Sequence, residues 1–184
     1  MSGKVQGFST GDWIFHPAHG VGRIKKVENK RIEGEKTRFL RVENDDATYW
    51  VPADEIDASR IRKLASRAQF RRAIHLLRKT PRDMNPNYSK RKSRIEKAKF
   101  GGSLREGIRV VRDLWARRRN KGLSYNDKRA LRQFIDNLVE EWSIAEEIST
   151  DDARTELYDL LKNGSFGLEE AGPPSQVEEI VERE

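Results

Sequence analysis

The sequence contains no cysteine in 184 residues, which excludes disulfide staples and thiolate-bound metals. Histidines number three: His16, His19 and His75. His16 and His19 stand three apart in HPAH, but no carboxylate pair accompanies them at ligand spacing. They read as turn histidines, and no metal is expected. No run approaches the ~18 apolar residues of a membrane span, and the opening MSGKVQGFST lacks an apolar signal segment. Apolar residues make up 35% against 36% charged, with mean hydropathy −0.87, so the core must be thin and assembled from small units with large solvated faces. Phosphate-binding P-loop, strand-following GxGxxG, HExxH and nucleophile-elbow patterns are all missing. A magnesium nuclease wants several carboxylates close to its basic surface, and here the two are separated along the chain. No catalytic residue and no cofactor is expected, and a soluble cytoplasmic protein is.

What the chain has in excess is positive charge in one place. Residues 58–132 hold 25 Lys/Arg and 5 Asp/Glu. The flanks differ: residues 1–57 hold 9 and 10, residues 133–163 hold 2 and 9, and residues 164–184 hold 1 and 6. The net charge of +7 therefore hides a middle section of +20. A basic block of that density points to a polyanionic partner, nucleic acid first. The plainer reading is that these are solvated helix faces, since each helix has only one face to bury.

Residues 8–52 read as short strands. DWIFHPAHGVGRIKKVE carries two apolar runs around a Gly-rich turn, RIEGEKTRFLRVE turns at Glu33–Gly34, and NDDA precedes TYWVP. Four or five strands in so short a length imply a small curled sheet or barrel. Gly11, Gly20, Gly22 and Gly34 occupy places where turns or bulges want positive φ. Beyond ADEIDAS the period becomes helical. A helix is expected over Ser66–Lys79, stopped by Pro81. A second, capped by Asn87 or Ser89, runs to about Phe100 and ends at Gly101–Gly102. A third opens at Ser103, with Leu104, Ile108, Val111 and Trp115 in one stripe. A fourth follows SYND, and a fifth is capped by Thr150 or Asp151. Trp13, Trp115 and Trp142 are expected in the core. The fold class is therefore α+β: a β module over 1–57, a basic helical domain over 60–163, and a Gly/Pro/Glu-rich acidic tail over 164–184, expected to be disordered.

NPNYSKRKSRIEKAK places one aromatic, Tyr88, at a helix start with Lys90, Arg91, Lys92 and Arg94 behind it. The cations could hold phosphates while the ring lies in a minor groove or against a base step. From composition alone the ring could equally pack on the neighbouring loop or helix with its hydroxyl in water.

The chain resembles the CarD/CdnL family of bacterial transcription regulators. The likeness is carried by GDWIFHPAHGVGRI at 11–24, IEGE and VPADE at matching spacing, and NYSKRKSRIEKAKFGGSLREGIRVVRDLWARRRNKGLSYNDKRAL at 87–131, with STDDAR further on. It covers about residues 8–162. The resemblance implies an N-terminal Tudor-like domain that binds the RNA polymerase β subunit, as in transcription-repair coupling factors. It also implies a helical domain that contacts promoter DNA at the upstream edge of the bubble, with little sequence preference, and stabilises the open complex of the housekeeping holoenzyme. In the family the wedge residue is usually tryptophan in an Asn-Trp-Ser context, and here Tyr88 takes that place. Lys90 and Arg91 match basic positions after it, with Lys92 and Arg94 matching more loosely. On the polymerase side the resemblance points to Lys30, Trp50 and Pro52. A monomer associated with the nucleoid through polymerase is implied. Two other readings stay open: a stand-alone RNA- or ribosome-binding protein, and an adaptor whose basic helices recruit another protein.

Overall fold

The computed structural model describes residues 4–32 and 35–164. The expected turn at Glu33–Gly34 and the acidic tail, apart from Gly164, lie outside the described residues. Lys4–Val5 (β1) and Phe8–Ser9 (β2) make a two-residue hairpin. A second, antiparallel sheet contains Trp13–His16 (β3), Gly20–Ile32 (β4), Glu35–Glu43 (β5), Thr48–Pro52 (β6) and Arg62–Lys63 (β7), in the order β6-β5-β4-β3-β7. Alternation sorts its residues. Val27, Leu40 and Val51 stand in register on the inner face, as do Ile24, Val42 and Tyr49 one step along. Lys26, Arg41 and Trp50, and then Glu28, Phe39 and Pro52, fall on the other face. A bulge between Ile24 and Lys26 lets one long strand serve both ends of the sheet.

Gly22 differs from the turn residue expected of it. Its φ is not positive, and its need is space: a Cβ there would stand 2.8 Å from Val42 Cγ1 and 3.2 Å from the Tyr49 hydroxyl. Gly11 and Gly20 do take positive φ, 94° and 73°. Strand β7 extends the β module beyond residue 57, because Arg62 and Lys63 pair with Phe15 and Ile14. Between β6 and β7 lie a 3-10 turn, Ala53–Glu55, and one turn of α-helix, Ile56–Ser59 (α1).

The helices are Arg67–Ile74 (α2), prolonged by a 3-10 turn His75–Arg78, then Tyr88–Gly101 (α3), Leu104–Asn120 (α4), Tyr125–Glu146 (α5) and Thr150–Asn163 (α6). Each start has a side-chain oxygen on a free backbone N–H: Ser66, Asn87, Ser103, Ser124 and Ser149. Ser149, not Thr150 or Asp151, caps α6. Helix α4 breaks the one-face rule. Ile108, Val110, Val111, Leu114 and Trp115 are buried, and so are Arg112 and Asp113. It is the central rod of the bundle, packed by α2, α3, α5 and the 3-10 turn. The core around it includes Phe70, Leu77, Ile135, Leu138, Trp142, Leu157 and Leu161. No described helix is long and apolar enough to cross a membrane.

The two modules meet at Arg62. Its guanidinium donates from Nε to the Gly102 carbonyl, lies 4.7 Å from the Phe15 ring centroid, and places Nη2 2.6 Å from Glu141 Oε1. Gly102 ends α3 at φ 67°, with the Arg60 carbonyl where a side chain would begin. Burial pushes the Glu141 carboxyl up, and Arg62 opposes that. The contact with Arg62 is a close ion pair without hydrogen-bond alignment, so this buried carboxylate is only partly compensated.

Candidate functional site

Two surface aromatics carry the site argument, one on each module. Tyr88 is the first residue of α3. The Asn87 side chain accepts from the Lys90 N–H at 3.2 Å and fixes where the helix begins. The Tyr88 ring is 41% exposed, and its hydroxyl accepts from Asn126 Nδ2 at 2.8 Å. The ring is therefore neither packed away nor swinging freely: its rim is tied to the first turn of α5 and much of the rest faces outward.

Arg91 corrects an expectation. Predicted to face phosphate, it is 4% exposed. Its Nε lies 3.0 and 3.1 Å from the Asp127 carboxylate oxygens, Nη2 lies 3.0 Å from Oδ2, and Nη1 donates to the carbonyls of Asn85 and Pro86 at 2.8 and 3.2 Å. A guanidinium this buried and this engaged is not presented to a phosphate. Its work is to pin the loop before Tyr88 onto α5, with its centre 5.6 Å from the Tyr88 ring centroid. Burial pushes the Asp127 carboxyl up, but hydrogen bonds from Arg91 and Ser124 more than offset this and hold it below the ordinary carboxylate range.

Arg94 is partly committed, with its side chain 35% exposed. One nitrogen of its guanidinium binds the buried Asp113 carboxylate, which also takes Arg112 Nε and the Arg82 N–H, at 2.7 and 2.9 Å. The loop from Arg82 to Asn87 is thus held from beneath by Asp113 and Arg91. Lys90 and Lys92 do face outward. Lys92 reaches Glu96 at 3.6 Å, both ends well exposed, and such a pair is easily exchanged for a phosphate. Among the described residues Lys90 has no ion pair.

On the sheet, Trp50 is 42% exposed on edge strand β6. Its indole N–H donates to Glu28 Oε1 at 2.7 Å, and Lys30 Nζ lies 3.6 Å from its ring centroid. Lys26 and Lys30 flank Glu28 at 3.6 and 3.8 Å. The Trp50 hydrogen bond, chiefly, and these lysines hold the Glu28 carboxyl below its usual range. Pro52 lies two residues along β6, on the same face. The structure therefore brings Lys30, Trp50 and Pro52 onto one surface, with Glu28 as an unforeseen organiser. Trp13, expected in the core, is 38% exposed, with Arg23 5.7 Å from its ring centroid. At the turn, burial and the neighbouring His19 bring His16 down to about 4, so it is neutral at physiological pH and its Nδ1 accepts from the Ala18 N–H.

A small sheet presenting an aromatic on a face of mixed charge, joined to a basic helical bundle presenting another, makes a two-module binding protein. Known proteins place that class within transcription. Residues 8–65 match the CarD-like/TRCF RID domain and residues 72–158 match the CarD C-terminal domain. The Bacillus subtilis (strain 168) protein YdeB, which carries the provisional name of transcription factor, is 28% identical over 145 residues, 77% of this chain and 94% of YdeB. The chain belongs to the CarD family of transcription factors, a family of regulators and not of enzymes.

Proposed function

We propose that the protein docks on the RNA polymerase β subunit through the face bearing Lys30, Trp50 and Pro52, and that it stabilises the promoter open complex through Tyr88. In this reading the housekeeping holoenzyme is the partner, and the DNA contact lies in the minor groove at the upstream edge of the bubble. The observation that carries the reading is the mounting of Tyr88: an aromatic held outward by Asn126, on a loop fixed by Arg91 and Asp113, with Lys90 and Lys92 beside it. A ring fixed in this way costs little further ordering when it meets a distorted base step.

The division of labour follows from the charges. Lys90 and Lys92 supply phosphate contacts without sequence information. Docking through the sheet raises the local concentration of this weak DNA contact at the promoter. A ring that fits the duplex–bubble junction better than relaxed duplex shifts the equilibrium toward the open complex by that difference alone. Localisation then follows polymerase onto the nucleoid, with the protein acting as a monomer.

Titration of the full chain against RNA polymerase holoenzyme and, separately, against bare promoter duplex tests the reading. Tight polymerase binding with weak, salt-sensitive duplex binding is the expected result. No polymerase binding, with retained affinity for structured RNA, would replace it with a stand-alone RNA binder.

A further inference from the structure

The first turn of α5 carries a second, more open aromatic. Tyr125 is 76% exposed and belongs to neither hydrophobic core. Its neighbours tie it to Tyr88: Asn126 holds the Tyr88 hydroxyl, and Asp127 holds Arg91. The first turns of α3 and α5 are thereby clamped side by side, each beginning with a tyrosine. One turn beyond Tyr125, at helical spacings of three and four, stand Lys128 and Arg129. Both are exposed and, among the described residues, carry no ion pair. The next charged residue on α5 is Arg132, and its first acidic residue after the buried Asp127 is Asp136.

We propose that Tyr125 is a second nucleic-acid-contacting aromatic and that the DNA footprint spans both helix starts, Tyr88 with Lys90 and Lys92 on α3, Tyr125 with Lys128 and Arg129 on α5. This rests on the reading of Tyr88 as a DNA contact and widens it from a single wedge to a two-ring surface. The surrounding charge selects the partner. Exposed cations beside two rings suit phosphates beside bases, because aromatic faces stack on any base and cations neutralise any backbone. An acidic protein surface would find the cations but gain little from the rings. Asn126 acts as the positioning residue between them: its amide sets where the Tyr88 ring stands relative to α5.

The test uses the full chain and a fluorescein-labelled forked promoter duplex at low salt, with Tyr88→Ala, Tyr125→Ala and Tyr125→Phe compared by anisotropy. Thermal unfolding and polymerase binding of each variant are measured alongside. Tyr125→Ala is expected to weaken fork binding about five- to tenfold, with unfolding and polymerase binding unchanged, and Tyr125→Phe to restore most of it. If Tyr88→Ala weakens binding and Tyr125→Ala does not, the second contact is overturned and the Tyr88 reading stands. If neither weakens it, both fall. If Tyr125→Ala spares the fork but lowers polymerase affinity, Tyr125 belongs to a protein interface and the inference is overturned.

Discussion

The two presented aromatics, Trp50 on the sheet and Tyr88 on the bundle, are held by the same device and sit in opposite electrostatic settings. Each ring exposes about two-fifths of its surface and each is tethered through its polar atom, Trp50 to Glu28 and Tyr88 to Asn126. Around Trp50 the charges are mixed and mutually paired, Glu28 between Lys26 and Lys30. Beneath Tyr88 two carboxylates have been withdrawn into the interior, while Glu96 stays outside against Lys92. Asp127 and Asp113 are buried beneath the surface with arginines on them, which leaves the lysines outside. A balanced face suits another protein, whereas a face whose anions are buried suits a polyanion. One chain thus presents two kinds of face by where its carboxylates go, and the proposed function assigns each face its partner.

The comparison breaks most sharply at the buried pair. Arg91→Ala leaves Asp127 without its charge partner inside the bundle and removes the Arg91 donor from the carbonyls of Asn85 and Pro86. We expect a loss of ~3–5 kcal/mol in stability, read from urea denaturation. Arg91→Lys should not rescue it, because an ammonium cannot hold the carboxylate and two carbonyls in one plane. A surface role for Arg91 would instead show as unchanged stability with weaker DNA binding.

Trp50→Ala sharpens the other side. It should lower polymerase affinity by about 2 kcal/mol, roughly thirtyfold, and leave forked-duplex binding alone. Equal losses on both partners would dissolve the distinction between the two faces.

Acid acts on the bundle's hidden carboxylate. Asp127 is held below the ordinary value of 3.8, so its folded form binds a proton less readily than its unfolded form. The stability this provides is complete above that value and is lost as pH falls through the lower, folded pKa. The urea midpoint should drop below about pH 4, and Asp127→Asn, already weakened, should show a smaller drop. Equal acid sensitivity of the two proteins would contradict the assignment.

The smallest effect belongs to a single exposed cation. Lys90→Gln should reduce the salt dependence of DNA binding by about one phosphate contact, a change of ~1 in the slope of log affinity against log salt. Stability should not move.

How much of this could be read from the residues depends on which rule each region obeys. The strands were legible because alternation and turns are local: TYWVP and RFLRVE announce themselves, and the resemblance points to Lys30, Trp50 and Pro52, which the sheet places on one face. Tyr88 was legible as a lone aromatic among cations. Arg91 was not, because a charged residue in a basic run looks like surface and only the fold supplies Asp127 from 36 residues away. The burial of Arg112 and Asp113 was not legible either, because the central position of α4 removes the solvated face that periodicity assumes. Strand β7 is two residues long and exists only because β3 is there to pair with it. Trp13 was expected in the core and instead stands 38% exposed at the start of β3, before the buried Ile14 and Phe15. Asn126 gives no local signal at all, since its partner lies on another helix.

The central claim is that Tyr88 stabilises the open complex through its ring. It is tested most directly by the lifetime of promoter open complexes formed by holoenzyme with saturating wild-type protein or Tyr88→Ala, after challenge with a competitor. The account predicts that Tyr88→Ala binds polymerase as tightly as the wild type but shortens the lifetime about five- to tenfold. An unchanged lifetime with polymerase binding intact would contradict it.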